Sequence, residues 1–411
     1  MNQHACVTLA TACTLLFVVA TRVSAQERLV RQRVAGTSAT YESISFGGDG
    51  LLQTGFAGID TTRIAGVEQF SVPVTFGTPI GAAWRVDVTA LYASGTVRYR
   101  EKNATRTRSA TLSGISDVRA RATGSIIADR LFLTIGANIP TGRTSLTGME
   151  FSVLRILAAP ALGIGSSPVG AGASGTIGLV YARSIAGWEM AAGASYEHRG
   201  TFQPVAAFSA GAPSADFKPG AVVRASLSAD RIIGGHRLFL ALTSDRFASD
   251  RLTGVPAATA PVGELATVRL GPVYSADAQL QFAVRSLREF LVFSSYRWRS
   301  EYQREGETVP GSSGYYLDIG SRAAFPLRAQ TSLVVALDGR VHSGLGVDQG
   351  LPTSGVASAA STVALDVRHG GLSLQPFVRV QAGSLEQRGA VASGTKTFRG
   401  AGLGMSVVTR F

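Results

Sequence analysis

Beyond residue 38 the chain is written in segments of about ten residues in which apolar and polar side chains alternate with a period of two. That period sends successive side chains to opposite faces of an extended strand, so each segment carries one apolar and one polar face. In 84–92, Trp84, Val86, Val88, Ala90 and Tyr92 share a face, and Arg85, Asp87 and Thr89 share the other. In 117–126, Asp117, Arg119, Arg121, Thr123 and Ser125 oppose Val118, Ala120, Ala122, Gly124 and Ile126. Trp188, Met190, Ala192, Ala194 and Tyr196 likewise oppose Glu189, Ser195 and Glu197, and Leu333, Val335 and Leu337 oppose Asp338 and Arg340. The chain is therefore expected to be all-β.

Alternation fits a water-soluble sandwich or a membrane barrel, and two further features favour the barrel. Trp84 with Tyr92, Trp188 with Tyr196, and Tyr296 with Trp298 stand at the ends of apolar faces, where lipid-facing strands place aromatic girdles. The connections also alternate in length. Ala128-Asp129-Arg130, 184–187, 232–235, 326–330 and His369-Gly370-Gly371 are tight, while 100–110, 140–170, 199–218, 248–261, 303–313, 346–358 and 384–396 are long. A sandwich has no reason to segregate loop lengths to opposite ends. The expectation is a transmembrane antiparallel up-and-down β-barrel of about 14–16 strands, an even number, with short periplasmic turns and long outer loops.

The N-terminal segment sets the destination. Residues 5–20 form one apolar run, short for a bilayer span but suited to the core of a secretory signal, and Val23-Ser24-Ala25 supplies a small-residue cleavage site. An uncleaved anchor helix is the alternative. Residues 1–25 are expected to be a signal peptide, 26–38 a short extension, and 39–411 the barrel, in the cell outer membrane. Cys6 and Cys13 both fall in the leader, so the mature chain has no disulfide, thiolate metal site or cysteine nucleophile. The formal charge of +12 comes from 39 Lys and Arg against 27 Asp and Glu. These cations are spread singly, without the concentrated patch that nucleic-acid binding requires; the expected partners are outer-membrane lipid and a small solute.

The last segment is the most specific. Ala401, Leu403, Met405, Val407, Thr409 and Phe411 lie on one face, opposite Gly402, Gly404, Ser406 and Arg410. It resembles the C-terminal strand signature of bacterial outer-membrane barrels, which implies recognition by the barrel assembly machinery, with Phe411 as the assembly signal. If the apolar faces meet lipid, the polar faces line the lumen: Asp117, Arg119, Arg121, Arg224, Arg269, Arg297, Arg299, Asp318, Arg340, Asp366 and Arg379 are the candidate substrate path. Charges cannot sit unpaired in a dry core, so the lumen is either braced by Arg–carboxylate pairs or water-filled. In the longest connection, 140–170, Met149, Val153, Ile156 and Leu157 share a helical face. By strand parity it is the third outer loop, and it is expected either to fold inward and narrow the pore or to form a surface loop.

Gly114-Ile115-Ser116-Asp117-Val118-Arg119 and Asn138-Ile139-Pro140-Thr141-Gly142 resemble the Gly-x-x-Asp-Val strand opening and Pro-Thr-Gly strand ending of the phenol-degradation meta-pathway outer-membrane family. Trp188 and Tyr196, on a strand leading to Gly200, continue the likeness. The resemblance implies an outer-membrane channel for small solutes, with small aromatic compounds as its cargo. A non-conducting structural or adhesive barrel is the alternative. Gly170-Ala171-Gly172-Ala173-Ser174-Gly175 spells a dinucleotide pattern, but an alternating strand follows it where that site needs a helix. His198, His236, His342 and His369 lack metal-ligand spacing, and no nucleophile motif accompanies them. Neither enzymatic activity nor a cofactor or metal is expected.

Overall fold

The computed structural model describes residues 36–56, 59–101, 104–158, 162–164, 166–207, 215–254, 263–344, 353–388 and 393–410. The expected leader, most of the 26–38 extension and Phe411 lie outside the described residues.

Seventeen segments join in one sheet. Two of them, Arg108–Ile115 and Val118–Ile127, run end to end and pair with successive halves of the same neighbour. They are one interrupted strand, and the barrel has sixteen strands. In chain order these are β1 (Gly36–Phe56), β2 (Ile59–Ile80), β3 (Trp84–Glu101), β4 (Arg108–Ile115 with Val118–Ile127), β5 (Leu131–Ile139), β6 (Ser174–Ile185), β7 (Trp188–Arg199) and β8 (Val222–Ile233). There follow β9 (His236–Phe247), β10 (Val273–Phe282), β11 (Glu289–Arg299), β12 (Gly314–Arg328), β13 (Thr331–Ser343), β14 (Thr353–His369), β15 (Leu372–Arg388) and β16 (Ser393–Arg410). Each pairs antiparallel with its chain neighbours, and β1 closes on β16 from Gly36↔Arg410 to Gly47↔Arg399. Gly36, Thr37 and Ser38, expected in the extension, already belong to this closing ladder.

Closure leaves no free edge in the hydrocarbon zone, where an unpaired backbone N–H or C=O costs several kcal/mol. It also divides every strand into an outer and an inner face. On β16, Leu403 and Met405 are 57% and 42% exposed, while the inward Gly402 and Gly404 are buried. Tyr41, Tyr92, Tyr196, Tyr274, Tyr296 and Trp298 face outward near the long-loop end. Trp84, Phe76 and Phe325 face outward near the short-turn end, which gives two girdles. Trp84 lies over Gly124 of β4, where a Cβ would sit 2.1 Å from its ring.

The wall is uneven in height. β1–β3 and β14–β16 run 17 to 22 residues, but β6–β11 run 10 to 12. The stretches 346–358 and 384–396, expected as long loops, are in large part tall strands: β14 begins at Thr353, and only 389–392 separates β15 from β16. On the short side the outer connections continue the wall. Phe202–Ala207, Ala215–Lys218, Asp250–Gly254, Gly263–Arg269, Gln303–Arg304 and Glu307–Thr308 pair side by side, with Leu146–Thr147 at the end, in a second seven-stranded sheet. Turns at 81–83 and 283–288, which carry weak sequence signals, complete the short-turn end.

The inner face is not polar along its whole height, contrary to the simple expectation. In the outer third, Phe46, Ile64, Val67, Val97, Tyr99 and Leu112 point inward and are buried, while Arg98 and Arg100 point outward and are exposed. Above the hydrocarbon the exterior is water, so polarity reverses wherever the interior is packed with protein.

Gly404 tests the two-faced reading. Its added Cβ would meet the Phe377 ring at 2.4 Å and the Tyr41 carbonyl at 2.3 Å. Gly404→Val is expected to destabilise the barrel by about 2–3 kcal/mol through overpacking, whereas Leu403→Val one residue away changes little. The heat-modifiable gel mobility of the two variants checks this.

Candidate functional site

The two short motifs of the sequence meet at the interruption in β4. Asp117 is buried, and its carboxylate accepts hydrogen bonds from Gly142 N (3.0 Å), Ala171 N (2.5 Å) and Asn138 Nδ2 (2.8 Å). Val118 N donates to Thr141 Oγ1 at 2.9 Å. Gly142 lies so close to Ile115 O and Gly170 that a Cβ would stand 2.7 and 2.8 Å from them. One carboxylate therefore clamps both ends of the connection between β5 and β6 to the wall. Asp117 was expected on the solute path, but its oxygens are committed to backbone and Asn138 donors. The glycine-rich stretch 170–175 is the return limb of this clamp, with Ser174 opening β6.

Between the clamped ends the chain enters the barrel mouth. Thr147 caps the helix α1 (Gly148–Leu157): its side chain accepts from Glu150 N, and the Glu150 carboxylate accepts in turn from Thr147 N at 2.9 Å. Burial acts to raise the Glu150 carboxyl pKa, but bonds from Thr147 and Arg143 outweigh it and hold the group below its ordinary value. The box is therefore complete at neutral pH and is lost as pH falls through that depressed value. Phe151, Val153, Leu154, Ile156 and Leu157 are buried against Val97, Leu112 and the inner face of the rim sheet at Phe217, Leu252 and Val268. Leu157 packs on inward-facing Gly95 of β3, where a Cβ would lie 2.3 Å from Cδ1. Of the face read from sequence, Val153, Ile156 and Leu157 are buried and Met149 is 39% exposed. Phe151 and Leu154 join the core because the helix is enclosed on more than one side.

Below the helix, Leu162, Gly163, Ile164 and Ser166 roof a cavity of about 340 Å³. Its floor and walls come from Glu42, Gln69, Ser71, Phe293, Ser358 and Gln381, with Asp318, Asp338, Arg340 and Arg379 among them. Gln69 Nε2 donates to the carbonyl oxygen of Ser166 at 2.9 Å and also bonds its hydroxyl.

Several inward charges form bidentate pairs, between adjacent strands or, for Arg379 on β15 and Asp338 on β13, across the strand between them. Arg340 meets Asp318 at 2.6 and 2.9 Å, Arg379 meets Asp338 at 2.9 and 2.7 Å, and Arg224 meets Asp245 at 2.6 and 2.9 Å. Arg121 reaches Asp87 at 3.2 Å, beside Arg85 at 2.8 Å. Asp366 accepts from Arg368 and from Ser373. Such fork-to-carboxylate geometry fixes both partners. Arg119 lies on the inner face opposite Thr89 and Asn138. Arg297 and Arg299 lie inward on β11 without a carboxylate bridge among the described residues. Arg269 is a correction: it sits in the rim sheet, exposed, on the face opposite buried Val268, and donates from Nε to Phe247 O. The parity of a barrel strand does not carry past Leu270 and Gly271, where the chain bends into the rim.

Gln69, Ser166 and Gly95, which seat the inserted loop, were not singled out in the sequence. Gln69 is the polar break in an inward row of β2, Val67-Gln69-Ser71. Among the described residues no three His, Cys, Asp or Glu side chains gather as a metal site.

No family model matches the sequence, and no curated protein matches it either. Among solved structures the chain is similar to the high-pH structure of Pseudomonas putida OprB, at TM-score 0.48 and 9% identity over 92% of this chain and 94% of that one. It is also similar to Pseudomonas aeruginosa OccK11 (OpdR), at TM-score 0.44 and 12% identity over 92% and 96%. An outer membrane channel from Pseudomonas putida F1 gives TM-score 0.36 and 10% identity over 95% and 100%.

The clamp predicts a local effect. Asp117→Ala removes the acceptor of two backbone N–H groups and an amide, at a cost of about 3 kcal/mol or more. Limited proteolysis is expected to cut within 143–170 in this variant while the barrel stays folded, and the wild-type loop resists under the same conditions.

Proposed function

We propose that the protein is an outer-membrane channel for passive passage of small solutes, narrowed by its own third outer connection. The observation that carries this reading is the interior below α1: an ionic lumen holding a cavity and roofed by the inserted loop. A barrel built only as scaffold has no need to keep space beneath an inserted loop. Paired Arg and Asp residues, among them Arg121, Arg340 and Arg379, keep the walls polar, and Arg297 and Arg299, which have no carboxylate bridge among the described residues, give them a cationic bias that favours anionic or polarisable solutes. Small aromatic compounds are the finer part of the proposal; they rest on the resemblance of the Asp117 and Pro140-Thr141-Gly142 motifs. Export by residues 1–25, assembly through the C-terminal strand ending at Phe411, and residence in the outer membrane complete the proposal. We assign no enzymatic step and no cofactor.

A non-conducting barrel is favoured by one observation, the continuous apolar core across the outer mouth. The two readings differ in a planar bilayer. Purified full-length protein is expected to show small or intermittent conductance, and deletion of residues 149–159 is expected to raise it several-fold and to speed liposome swelling with small organic acids. A silent wild type whose deletion variant is folded and equally silent would leave the scaffold reading.

A further inference from the structure

The inner wall at the outer end of β11–β13 carries more positive charge and more idle hydrogen-bond donors than its own carboxylates can use. Arg297 pairs in register with Tyr316 of β12, and Tyr316 with His342 of β13. Arg299 stands one inward step further along β11, opposite Gly314, whose missing side chain leaves the guanidinium no cross-strand partner. The His342 ring stacks on Tyr316 at 4.9 Å between centroids.

These groups are deeply enclosed: His342 is 2% and Arg299 4% exposed. Arg299 spends Nη2 on the carbonyl of Ser312 at 2.7 Å, and its Nε has no partner among the described residues. Neither Nδ1 nor Nε2 of His342 has one. A buried donor without an acceptor costs about 1–3 kcal/mol, more when it is charged, so Arg299 Nε–H and the N–H of the His342 ring ask for an acceptor. The nearby carboxylates are not it. Asp245 is held bidentately by Arg224, and Asp277 lies within electrostatic reach of Arg297 but forms no ion pair with it. Arg340, two residues from His342 on the same face, lines the 340 Å³ cavity.

We propose that Arg297, Arg299, Tyr316 and His342 form a binding station for the oxyanion group of a small solute, a carboxylate or a phosphate. Arg299 Nε and Arg297 supply charge-assisted donors, the N–H of the His342 ring supplies a third, and the Tyr316 ring holds the imidazole in place. Occupancy would give each enclosed donor its acceptor and offset the local excess of cations. The inference deepens the channel reading by naming the chemical class that the lumen retains, and it rests on that reading only for the solute's route to the site.

The test titrates folded full-length protein in detergent with sodium benzoate and, separately, with sodium phosphate, against sodium chloride at matched ionic strength. Calorimetry and the thermal unfolding midpoint are the readouts. Saturable one-site binding of benzoate or phosphate is expected, with a matching rise in midpoint, and the stronger of the two identifies the group. Arg299→Gln is expected to weaken it about tenfold or more, the loss of one charge-assisted bond. His342→Phe keeps the stack on Tyr316 but removes both idle nitrogens, so it should weaken binding while leaving the empty barrel as stable as before or more so. Absence of saturable binding in the wild type, or equal affinity in both variants, overturns the station. A silent bilayer with anion binding intact would count against the channel alone.

Discussion

The structure depends on one constraint: within hydrocarbon every backbone N–H and C=O must find its partner inside the protein. The ladder between β1 and β16 meets it by closing the sheet, and nothing else in the molecule is independent of that closure. Closure makes an inside and an outside, and the pleat then assigns each successive residue to one or the other. The glycines of β16, the rings of the two girdles and the bidentate Arg–Asp pairs follow from this assignment. A charge on the inner face is kept wet or paired, and an apolar side chain on the outer face meets lipid at no cost.

The same rule explains why the upper barrel looks inverted. Where the wall rises out of the hydrocarbon, water lies outside and the folded loop lies inside, so Val97 and Tyr99 turn in and Arg98 and Arg100 turn out without any change of strand parity. The short side lacks wall at this height, and the rim sheet from the outer connections supplies it. Helix α1 is thereby packed between a tall strand wall and a low one extended by hairpins. The result is an apolar core above an ionic one in a single chain, with the 340 Å³ cavity at their boundary.

Much of this was legible from residue order, because a period of two is a strong signal and lipid leaves few alternatives. The tight turns at 128–130, 186–187, 234–235 and 370–371 were readable from Gly and Asp, and most of the Arg and Asp pairs were readable from parity. What was not legible had physical causes. The tall strands near 353 and 388 are rich in Gly, Ala and Ser, which blur the contrast on which alternation depends. Arg269 was misplaced because the chain bends at the rim and parity does not survive the bend. Asp117 reads as one more lumen charge in a strand-by-strand view; its three donors come from residues 138, 142 and 171, which only the folded loop brings together. Gln69 and Gly95 matter through what the loop lays against them.

The Asp117 clamp has a mechanical implication. Both limbs of the inserted loop are pinned to one carboxylate at the wall, so the two ends of that long excursion stay adjacent whatever the middle does. The segment carrying α1 is then held at its ends by the clamp and along its length by its own packing on β3 and β4, so its closure is set independently of the ladder. A barrel whose rigidity is needed to survive in the membrane can in this way carry a long insertion across its mouth without surrendering a rung of its ladder.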